Sequence, residues 1–289
     1  MNLRILHYNI AHGRGNDQSP DVIKWLGPLG LIAGTLKKNY QLKKKGKKEL
    51  ISRLDSIAEL TREQEVDIAC FNEIDFDCNW SFNIDMLQYF SEQLCLRHTA
   101  YGYKTDLRLP WFKVQNGLGV VSRFPLSGDY HMCSTNKFPR TLVGGVGYQD
   151  LVVDVNGNNI RLVYCHLSPG TEGEIQTDEI YQNVIATSTE PVILAGDLNA
   201  RLTEHQAEKG KVRYRNLDNL LIGGRLKVPL QLLEEGAEER YATFFSRYLG
   251  YGEVIDHVLV DREFEINSFE VLDVDYSDHK PVVVEIAMS

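Results

Sequence analysis

The sequence is poor in the features that define several protein classes. It has five cysteines in 289 residues, an odd number, and none forms a C-x-x-C pair. A disulfide scaffold or a cysteine-based zinc site is therefore not expected, and scattered thiols are typical of a reducing compartment. The chain also lacks a long apolar run and a basic N-terminal region followed by an apolar one. We therefore expect neither a transmembrane helix nor a secretory signal.

The sequence also has fewer positively charged than negatively charged residues. Lysine and arginine number 31 against 40 aspartates and glutamates, so the net charge is −9. The field of the whole molecule thus disfavours nucleic acids and anionic membranes, although bound cations can reverse this locally. The hydrophobic fraction of 43% and the charged fraction of 25% are ordinary for a globular protein. We predict a cytoplasmic monomer and leave open a secretion route that needs no N-terminal signal.

The chain shows no internal repeat and no shift in composition that would mark a linker. This predicts a single domain over residues 1–289. One segment, at about residues 14–48, differs from the rest, because prolines and glycines break its apolar pieces and a lysine-rich run ends it. We interpret the segment as an insertion close to the functional site. Its lysines form either a solvated face or a contact for a polyanion.

The strand pattern is clearest at residues 192–195, which are apolar without the alternation of a half-exposed strand. Such a run indicates a strand covered on both faces. Asp197 and Asn199 follow it, and in extended backbone two residues spaced in this way point to the same side. Since loops at strand ends converge while the strands stay rigid, we expect a shared site there. Other apolar stretches also end at polar residues of catalytic type, namely Asn9, Glu73, His166, Asp256-His257 and Asp278-His279.

The remaining pattern predicts the layers around these strands. Apolar residues recur at helical spacing over residues 49–65 and 85–96, and a third helix is predicted around residues 179–187. Further strands are predicted at residues 3–10, 66–71, 117–122, 142–155, 160–167, 243–245, 254–260, 269–274 and 281–286. Many strands with few helices favour an α/β (α+β) fold. We predict a four-layer α/β/β/α sandwich of two stacked, mainly antiparallel sheets with the helices outside.

The residue types at the strand ends match one kind of chemistry. Glu73 with Asp278 offers the oxygen ligands that Mg²⁺ or Mn²⁺ prefers, and Asn9 or Asp197 could add another. Histidines could take a proton from water or give one to phosphoryl oxygens at neutral pH. Asp256 could orient one of them, as the aspartate of a catalytic triad does. Together these groups predict metal-assisted hydrolysis of a phosphate ester.

A set of motifs strengthens this interpretation. In chain order they are Tyr8-Asn9-Ile10, Asn72-Glu73, residues 117–122, His166-Leu167, Gly196-Asp197-Leu198-Asn199, Ile255-Asp256-His257 and Ser277-Asp278-His279. The set resembles the endonuclease/exonuclease/phosphatase superfamily over residues 3–286. Gly-Asp-x-Asn and Ser-Asp-His are its most specific pieces. The resemblance implies the four-layer sandwich and a Mg²⁺-dependent cleavage of phosphate esters, with Mn²⁺ as an alternative metal.

The resemblance also implies a metal site. Glu73 would be the principal ligand, with Asn9 beside it. Asp278 would contribute to the same site or steer its neighbour. The superfamily usually has glutamine where this chain has Asn72, a change that leaves the carboxylate in place.

Catalytic roles follow from the same resemblance. Asp197 would position or deprotonate the attacking water, and Asn199 would hold a phosphate oxygen. His279 would be the acid or base that contacts the phosphate, with Asp256 as its partner. His166 stands where abasic-site endonucleases carry tyrosine, so the chain is more similar to the branch with deoxyribonuclease-like enzymes, sphingomyelinases, inositol polyphosphate phosphatases and deadenylases. Asn116 and Arg140 are further candidates for contacts with the substrate phosphate.

The substrate stays open at this stage. A phosphodiesterase or nuclease is the first hypothesis, and a phosphatase or a phospholipid or inositol phosphate hydrolase is the alternative. A lipid enzyme would need an apolar rim, for which residues 25–26, 80–82 or 109–112 could serve. An inactive binding protein on the same fold is the alternative from another class. The complete set of chemical groups favours an enzyme over that alternative.

Overall fold

The structure is a computed structural model that describes residues 2–16, 43–136, 144–200, 216–221, 223–246 and 251–288. Within these ranges the strands form two six-stranded sheets and a small hairpin. In spatial order the first sheet contains β13 (Phe264–Val271), β14 (Val282–Met288), β1 (Asn2–Asn9), β2 (Ile68–Asp75), β4 (Phe112–Ser122) and β3 (His98–Leu109). In this sheet β1 and β2 are parallel, while the other neighbours are antiparallel.

The second sheet has the same arrangement around its own parallel pair. Its strands are β5 (Leu126–Met132), β6 (Gly147–Val155), β7 (Asn158–His166), β8 (Val192–Asp197), β12 (Asp256–Asp261) and β9 (Leu226–Lys227). Here β7 and β8 are parallel, and the other neighbours are antiparallel. The hairpin pairs β10 (Phe244–Ser246) with β11 (Tyr251–Glu253).

The helices of the described ranges are short, except for the first. They are α1 (Lys47–Glu63), α2 (Met86–Leu94), α3 (Thr171–Ile180), α4 (Asn216–Leu221) and α5 (Ala237–Arg240). A π-helical turn (Tyr181–Ile185) continues α3, and single 3-10 turns lie at Ala11–Gly13, Asn79–Ser81 and Leu230–Leu233. In the described part of the chain we find no helix that is long and apolar enough to cross a bilayer.

Apolar residues on alternate sides of the strands build separate cores. In β1, Ile5 packs between the two sheets, whereas Leu6 packs outward beneath α1 and α2. In β8, Ile193 lies in the central core and Leu194 in a third core beneath α3. Because successive side chains point to opposite faces, strands covered on both sides must be apolar throughout. Three cores separate four layers, so the predicted sandwich of mainly antiparallel sheets is confirmed.

The third helix was predicted too late in the chain. It begins at Thr171 and runs to Ile180 before the π-helical turn, whereas the prediction placed it around residues 179–187. Its first turns are polar, yet Gln176 and Thr177 are fully buried. Gln176 accepts from the Ser168 N–H at 2.8 Å and donates to Thr135 Oγ1 at 2.8 Å. A hydrophobic pattern cannot reveal a helix that docks through hydrogen bonds.

Other boundaries also moved. Strand β3 was not predicted, and β13 begins at Phe264 instead of residue 269. Strand β6 begins at Gly147, while residues 137–143 lie outside the described ranges. Most of the predicted insertion, residues 17–42, also lies outside them. The single-domain assignment and the role of the insertion therefore stay predictions.

Candidate active site

The two parallel strand pairs bring their carboxyl ends to one edge of the sandwich. Asn9 at the end of β1 is in register with Asn72 of β2, and His166 at the end of β7 is in register with Asp197 of β8. Side chains then connect the sheets. The Asn9 amide donates to Asp197 Oδ2 at 3.1 Å, and the Asn72 amide donates to the Cys165 carbonyl at 3.1 Å. This edge therefore gathers polar groups from both sheets.

The centre of this site is a buried group of two aspartates and one histidine. Ligand atoms of Asp197, Asp256 and His279 all lie within 4.8 Å of one another. His279 Nδ1 lies 2.7 Å from Asp256 Oδ2, while its Nε2 lies 3.8 Å from Asp197 Oδ2. The ring of Phe244 packs against the imidazole at 5.0 Å between centroids. Asp256 thus orients the imidazole of His279 through Nδ1, and Nε2 is directed toward Asp197.

Asp256 is itself held on both oxygens. His7 Nε2 lies 2.8 Å from Asp256 Oδ1, and its Nδ1 lies 3.2 Å from the Tyr164 hydroxyl. Burial opposes the charged form of Asp256, but His279 and His7 outweigh it, so the pKa of this carboxyl lies well below its ordinary value. The aspartate is thus an ionised anchor for two imidazoles. His7 completes the anchor two residues before Asn9, on the same side of β1.

Asp197 and the histidines next to it have shifted pKa values. Burial, followed by the charge of Asp256, raises the pKa of Asp197 to about 7. Burial would lower the pKa of His279, but the charge and hydrogen bond of Asp256 outweigh it and raise the value to about 10. Burial, followed by the charge of Lys104, lowers the pKa of His166 to about 3. Near neutral pH the site thus combines an imidazolium, a neutral imidazole and a carboxyl that can exchange a proton.

Several contacts fix the position of Asp197. The Asn199 backbone N–H donates to Asp197 Oδ1 at 3.0 Å, and His166 Nε2 lies 3.6 Å from Oδ2. Asn199 has a φ of 48°, in the left-handed region, and its side-chain amide donates to the Leu167 carbonyl at 2.9 Å. One amide hydrogen of Asn199 is therefore used within the loop. The other hydrogen and the amide oxygen remain for a ligand.

Glu73 stands apart from the buried group, on a bulge of β2. The register with β4 shifts between Asn72 and Ile74, and Glu73 has a φ of 51°. Residues in this region cost free energy and cluster at functional sites. Arg14 donates to Glu73 Oε2 at 3.2 Å, and His12 Nε2 lies 3.5 Å from the same oxygen. Burial opposes ionisation of Glu73, but its positive neighbours, His12 first, hold the pKa below its ordinary value.

Glu73 fits a divalent cation better than the buried group does. Both oxygens of Asp256 are engaged by imidazoles, so a cation there would have to displace them. Among the described residues no donor lies within hydrogen-bond distance of Glu73 Oε1, and the side chain is 28% exposed. Asn9 uses its amide oxygen for the Ala11 N–H, and Asp278 Oδ1 accepts from Ser277. Hard cations prefer such oxygen donors, and Glu73 offers a free one.

Of the two residues predicted to contact the substrate phosphate, the structure describes Asn116 but not Arg140. Asn116 of β4 is in register with Asp75 of β2, two residues beyond Glu73, and is 9% exposed. Arg140 lies outside the described residues. Lys104 was missed by the sequence analysis. It lies at a register shift in β3, and its positive charge lowers the pKa values of both Glu73 and His166. A lysine in an unpredicted strand gives no sequence signal for such a position.

The endonuclease/exonuclease/phosphatase family is the one that matches this chain. Its sequence profile aligns with residues 6–279, which contain every strand end described above. The chain belongs to this family. Members of the family hydrolyse phosphate esters and generally depend on divalent metals, so the chain is an enzyme of the phosphoester hydrolase class. A search of the curated proteins by sequence found no match.

Solved structures show the same fold at low sequence identity. An endonuclease/exonuclease/phosphatase from Beutenbergia cavernae DSM 12333 gives a TM-score of 0.69 at 19% identity, over 100% of this chain and 72% of that one. A mannosyl-6-phosphatase from Bacteroides thetaiotaomicron VPI-5482 gives 0.58 at 16%, over 99% and 100%. Sphingomyelinase C from Streptomyces griseocarneus gives 0.59 at 16%, over 99% of both chains. Proteins with this fold thus include a phosphatase and a sphingomyelinase.

Proposed function

We propose that this family member is a Mg²⁺-dependent phosphodiesterase that cleaves its substrate by in-line attack of an activated water. The observation that carries the proposal is the buried group of Asp197, Asp256 and His279. It combines a carboxyl whose pKa is raised to about 7 with an imidazole whose pKa is raised to about 10. A carboxyl that can accept a proton near neutral pH and an imidazole that is protonated there, held a few ångströms apart, supply the base and the acid that hydrolysis of an ester requires.

Each residue has a role in this proposal. Asp197 takes the proton of the attacking water, and its position is fixed by Asn9 and Asn199. His279, oriented by Asp256, donates through Nε2 to the phosphoryl group or to the leaving oxygen. The neutral His166 and the amide of Asn199 hydrogen-bond phosphate oxygens, and we propose the same role for Asn116 and Arg140. The proton removed by Asp197 and the proton given by His279 balance the reaction.

Glu73 would hold the metal, with Asn9 and Asp278 nearby. A bound divalent cation supplies positive charge that offsets the charge developing on the phosphoryl oxygens. We propose Mg²⁺, with Mn²⁺ as a substitute. Arg14 and Lys104 add fixed positive charge on the rim of the same site, where it attracts a phosphate. A monomer in the cytoplasm remains our expectation for its state and location.

The first test is hydrolysis of bis-(p-nitrophenyl) phosphate and p-nitrophenyl phosphate. We expect release of p-nitrophenol with Mg²⁺ or Mn²⁺, a loss of at least about 100-fold with a chelator, and faster turnover of the diester. The expected loss follows from the several kcal/mol of charge stabilisation that a metal provides. The measurement is absorbance at neutral pH. An Asp197→Ala sample from the same purification is the control for contaminating phosphatases.

Three outcomes would contradict the proposal. Equal turnover with and without chelator would show that hydrolysis does not require a metal. Faster turnover of the monoester would favour a phosphatase. Absence of turnover on these esters, on DNA and RNA, and on inositol phosphates and phospholipids would support a binding protein without activity. That alternative is weakened by the complete set of chemical groups, since Glu73, His166, Asp197, Asp256 and His279 are all present.

A basic groove supports nucleic acid as the substrate. Lys45, Lys48, Arg53 and Tyr276 line the groove along α1 together with Glu49, Ser52 and Ser56. It leads to the site, because Lys45 donates to the Arg14 carbonyl at 3.4 Å and Arg14 donates to Glu73. Lysines and hydroxyl groups are common contacts of a sugar-phosphate backbone. In an acidic chain this local excess of positive charge is suited to a neighbouring phosphate of a polymer.

The variant Lys45→Gln/Lys48→Gln tests the groove. We expect weaker binding of single-stranded DNA, by about tenfold or more at 0.1 M salt, because two phosphate contacts are lost. The slope of log affinity against log salt should flatten by about 1.4, since each contact with a single strand contributes about 0.7. Fluorescence anisotropy of a labelled oligonucleotide in chelator measures both quantities without cleavage.

Lys227→Gln is the matched control. Lys227 is in register with Val260, near the last residue of β12, whereas Asp256 of the active site is the first residue of that strand. This substitution removes one positive charge from the molecule, half the number that the groove variant removes, and none from the groove, so it should leave the salt slope unchanged within error. If both variants weaken binding equally, the effect comes from net charge and the groove is not a binding surface.

A phospholipid substrate is a second candidate because of one exposed hairpin. Trp111 is 79% exposed and Leu109 is 40% exposed at the tip between β3 and β4. Exposed aromatic and aliphatic side chains at a tip can enter a lipid interface. The other aromatic segment within the described residues is not available, since Trp80 is buried in the core beneath α2. Hydrolysis of sphingomyelin or phosphatidylcholine vesicles, compared with oligonucleotides, separates the two candidates.

A further inference from the structure

Glu73 is held asymmetrically, and this asymmetry has a chemical meaning. Arg14 Nη2 and His12 Nε2 approach the same carboxylate oxygen, Oε2, at 3.2 and 3.5 Å. Within the described part of the chain no donor lies within hydrogen-bond distance of Oε1. A carboxylate whose positive neighbours all approach one oxygen offers the other oxygen to a cation more readily, because the first would have to share its lone pairs. Free rotation of the carboxylate would normally make both oxygens available.

His12 is itself locked in place. Its Nδ1 lies 2.7 Å from Asp75 Oδ1, and the Trp80 indole N–H donates to Asp75 Oδ2 at 2.8 Å. Asp75 is fully buried, and Trp80 is 6% exposed. The imidazole therefore belongs to a chain of contacts that runs from the core to Glu73. Such outer partners fix the orientation of a ligand and tune its affinity for a metal.

The loop that carries His12 and Arg14 is equally constrained. Ala11, His12 and Gly13 all have positive φ, at 47°, 56° and 67°. A Cβ at Gly13 would lie 2.5 Å from a methyl carbon of Leu50, so a side chain there would have to displace buried Leu50 and adopt a strained φ. The Gly13 carbonyl accepts from Arg53 of α1 at 2.6 Å. Strain of this kind persists only where the surroundings impose it, and it is concentrated at functional sites.

Divalent cations differ in how they use a carboxylate. Ca²⁺ takes six to eight oxygens in flexible geometry and often binds both oxygens of one carboxylate. Mg²⁺ requires near-octahedral geometry, keeps several waters, and is bound through one or two carboxylates. A glutamate with one free oxygen therefore suits Mg²⁺, whereas Ca²⁺ loses a contact that it commonly uses. Selectivity between these ions depends on ligand number and flexibility.

We propose that His12 and Arg14 form a clamp that restricts Glu73 to one-oxygen ligation and thereby makes the site select Mg²⁺ over Ca²⁺. The inference rests on the proposed role of Glu73 as the metal ligand. His12 and Arg14 act through Glu73 and are positioning residues. Asp75 and Trp80 hold His12 in the required orientation.

The test measures metal binding by the full-length protein without substrate. Isothermal titration with MgCl₂ and with CaCl₂ gives two dissociation constants, and their ratio is the readout. We expect the variant His12→Ala/Asp75→Asn to bind Mg²⁺ about 10- to 100-fold more weakly, the usual effect of removing an outer partner of a ligand. Ca²⁺ affinity should change much less, because Oε2 then keeps Arg14 as its one remaining contact and is less restricted as a second ligand atom. The ratio of the Ca²⁺ to the Mg²⁺ dissociation constant should therefore fall by at least about tenfold.

Asp75→Asn accompanies His12→Ala because the buried carboxylate of Asp75 would otherwise lose its histidine partner. The asparagine oxygen can still accept from Trp80. Arg14→Gln is a second variant, which removes the other contact to Glu73 Oε2 and should lower the ratio in the same direction. Lys113→Gln is the control, since it removes a positive charge paired with Asp77 at 2.8 Å without a contact to Glu73. Circular dichroism of each protein without metal checks the fold.

The outcomes are distinct. A lower ratio in both clamp variants, with the control unchanged, supports the clamp. An equal loss of affinity for both ions, or an unchanged ratio, overturns it while leaving Glu73 a ligand. Glu73→Gln tests the proposed role of Glu73 as the metal ligand. If that variant binds both ions normally, Glu73 is not a ligand, and both the metal role and the clamp are overturned.

Discussion

His279→Ala should lower kcat for phosphodiester hydrolysis by about 10²- to 10⁴-fold, the usual contribution of a general acid or base. The alanine removes the imidazole that Asp256 holds at 2.7 Å and that lies 3.8 Å from Asp197. It leaves the core intact, because the side chain belongs to none of the three apolar clusters. Steady-state rates with Mg²⁺ on a dinucleotide, whose leaving oxygen needs a proton, measure the loss.

His131→Ala is the matched control for this prediction. His131 stacks on Tyr148 at 5.4 Å in the edge region of the second sheet, so this substitution should leave the rate within about twofold. Asp256→Asn made in the His279→Ala background should add little, because residues that act as a unit are not additive. A wild-type rate for His279→Ala, or fully additive losses, would contradict the assignment.

The leaving group separates two versions of the role of His279. If the imidazolium protonates the leaving oxygen, the defect should be smaller on p-nitrophenyl esters than on alkyl esters, because p-nitrophenolate leaves without a proton. If it stabilises phosphoryl oxygens instead, the defect should be similar on both. A methyl p-nitrophenyl diester and a dinucleotide make suitable substrates for the comparison.

Much of the candidate site could be predicted because its residues follow strands with a strong apolar pattern. Asp197 follows residues that are buried on both faces, and the register of parallel neighbours then requires that strand ends meet. The same reasoning placed Asn9, Glu73 and His166 at this edge. Pattern and topology together therefore predict which residues gather, without any distance being known.

The contacts around Glu73 could not be predicted in this way. Asp75 is fully buried between His12 and Trp80, a position that a hydrophobic pattern does not predict for a carboxylate. Its partners depend on a bulge and on three positive φ angles, and neither feature follows from hydrophobic periodicity. Backbone irregularity is invisible to a pattern that assumes regular strands. For this reason, sequence alone does not predict the contacts that orient Glu73.

Asp197→Asn should have an effect at least as large as the loss of His279. The asparagine keeps the shape of the side chain and can still accept from the Asn199 N–H, but it cannot take a proton from water. Removal of this base should lower kcat by about 10²- to 10⁴-fold on every ester, since activation of water does not depend on the leaving group. KM should change little, because Asp197 is not proposed to bind the substrate.

The comparison of Asp197→Asn with Asp197→Ala then distinguishes a base from a positioning group. A base is lost equally in both variants, so their rates should agree within a few fold. A group that only positions water by accepting a hydrogen bond would be partly replaced by the asparagine oxygen, which would leave Asp197→Asn much faster than Asp197→Ala. Because Asp256 and His279 stay in place in both variants, such a difference would assign the proton to another acceptor and would require a new base.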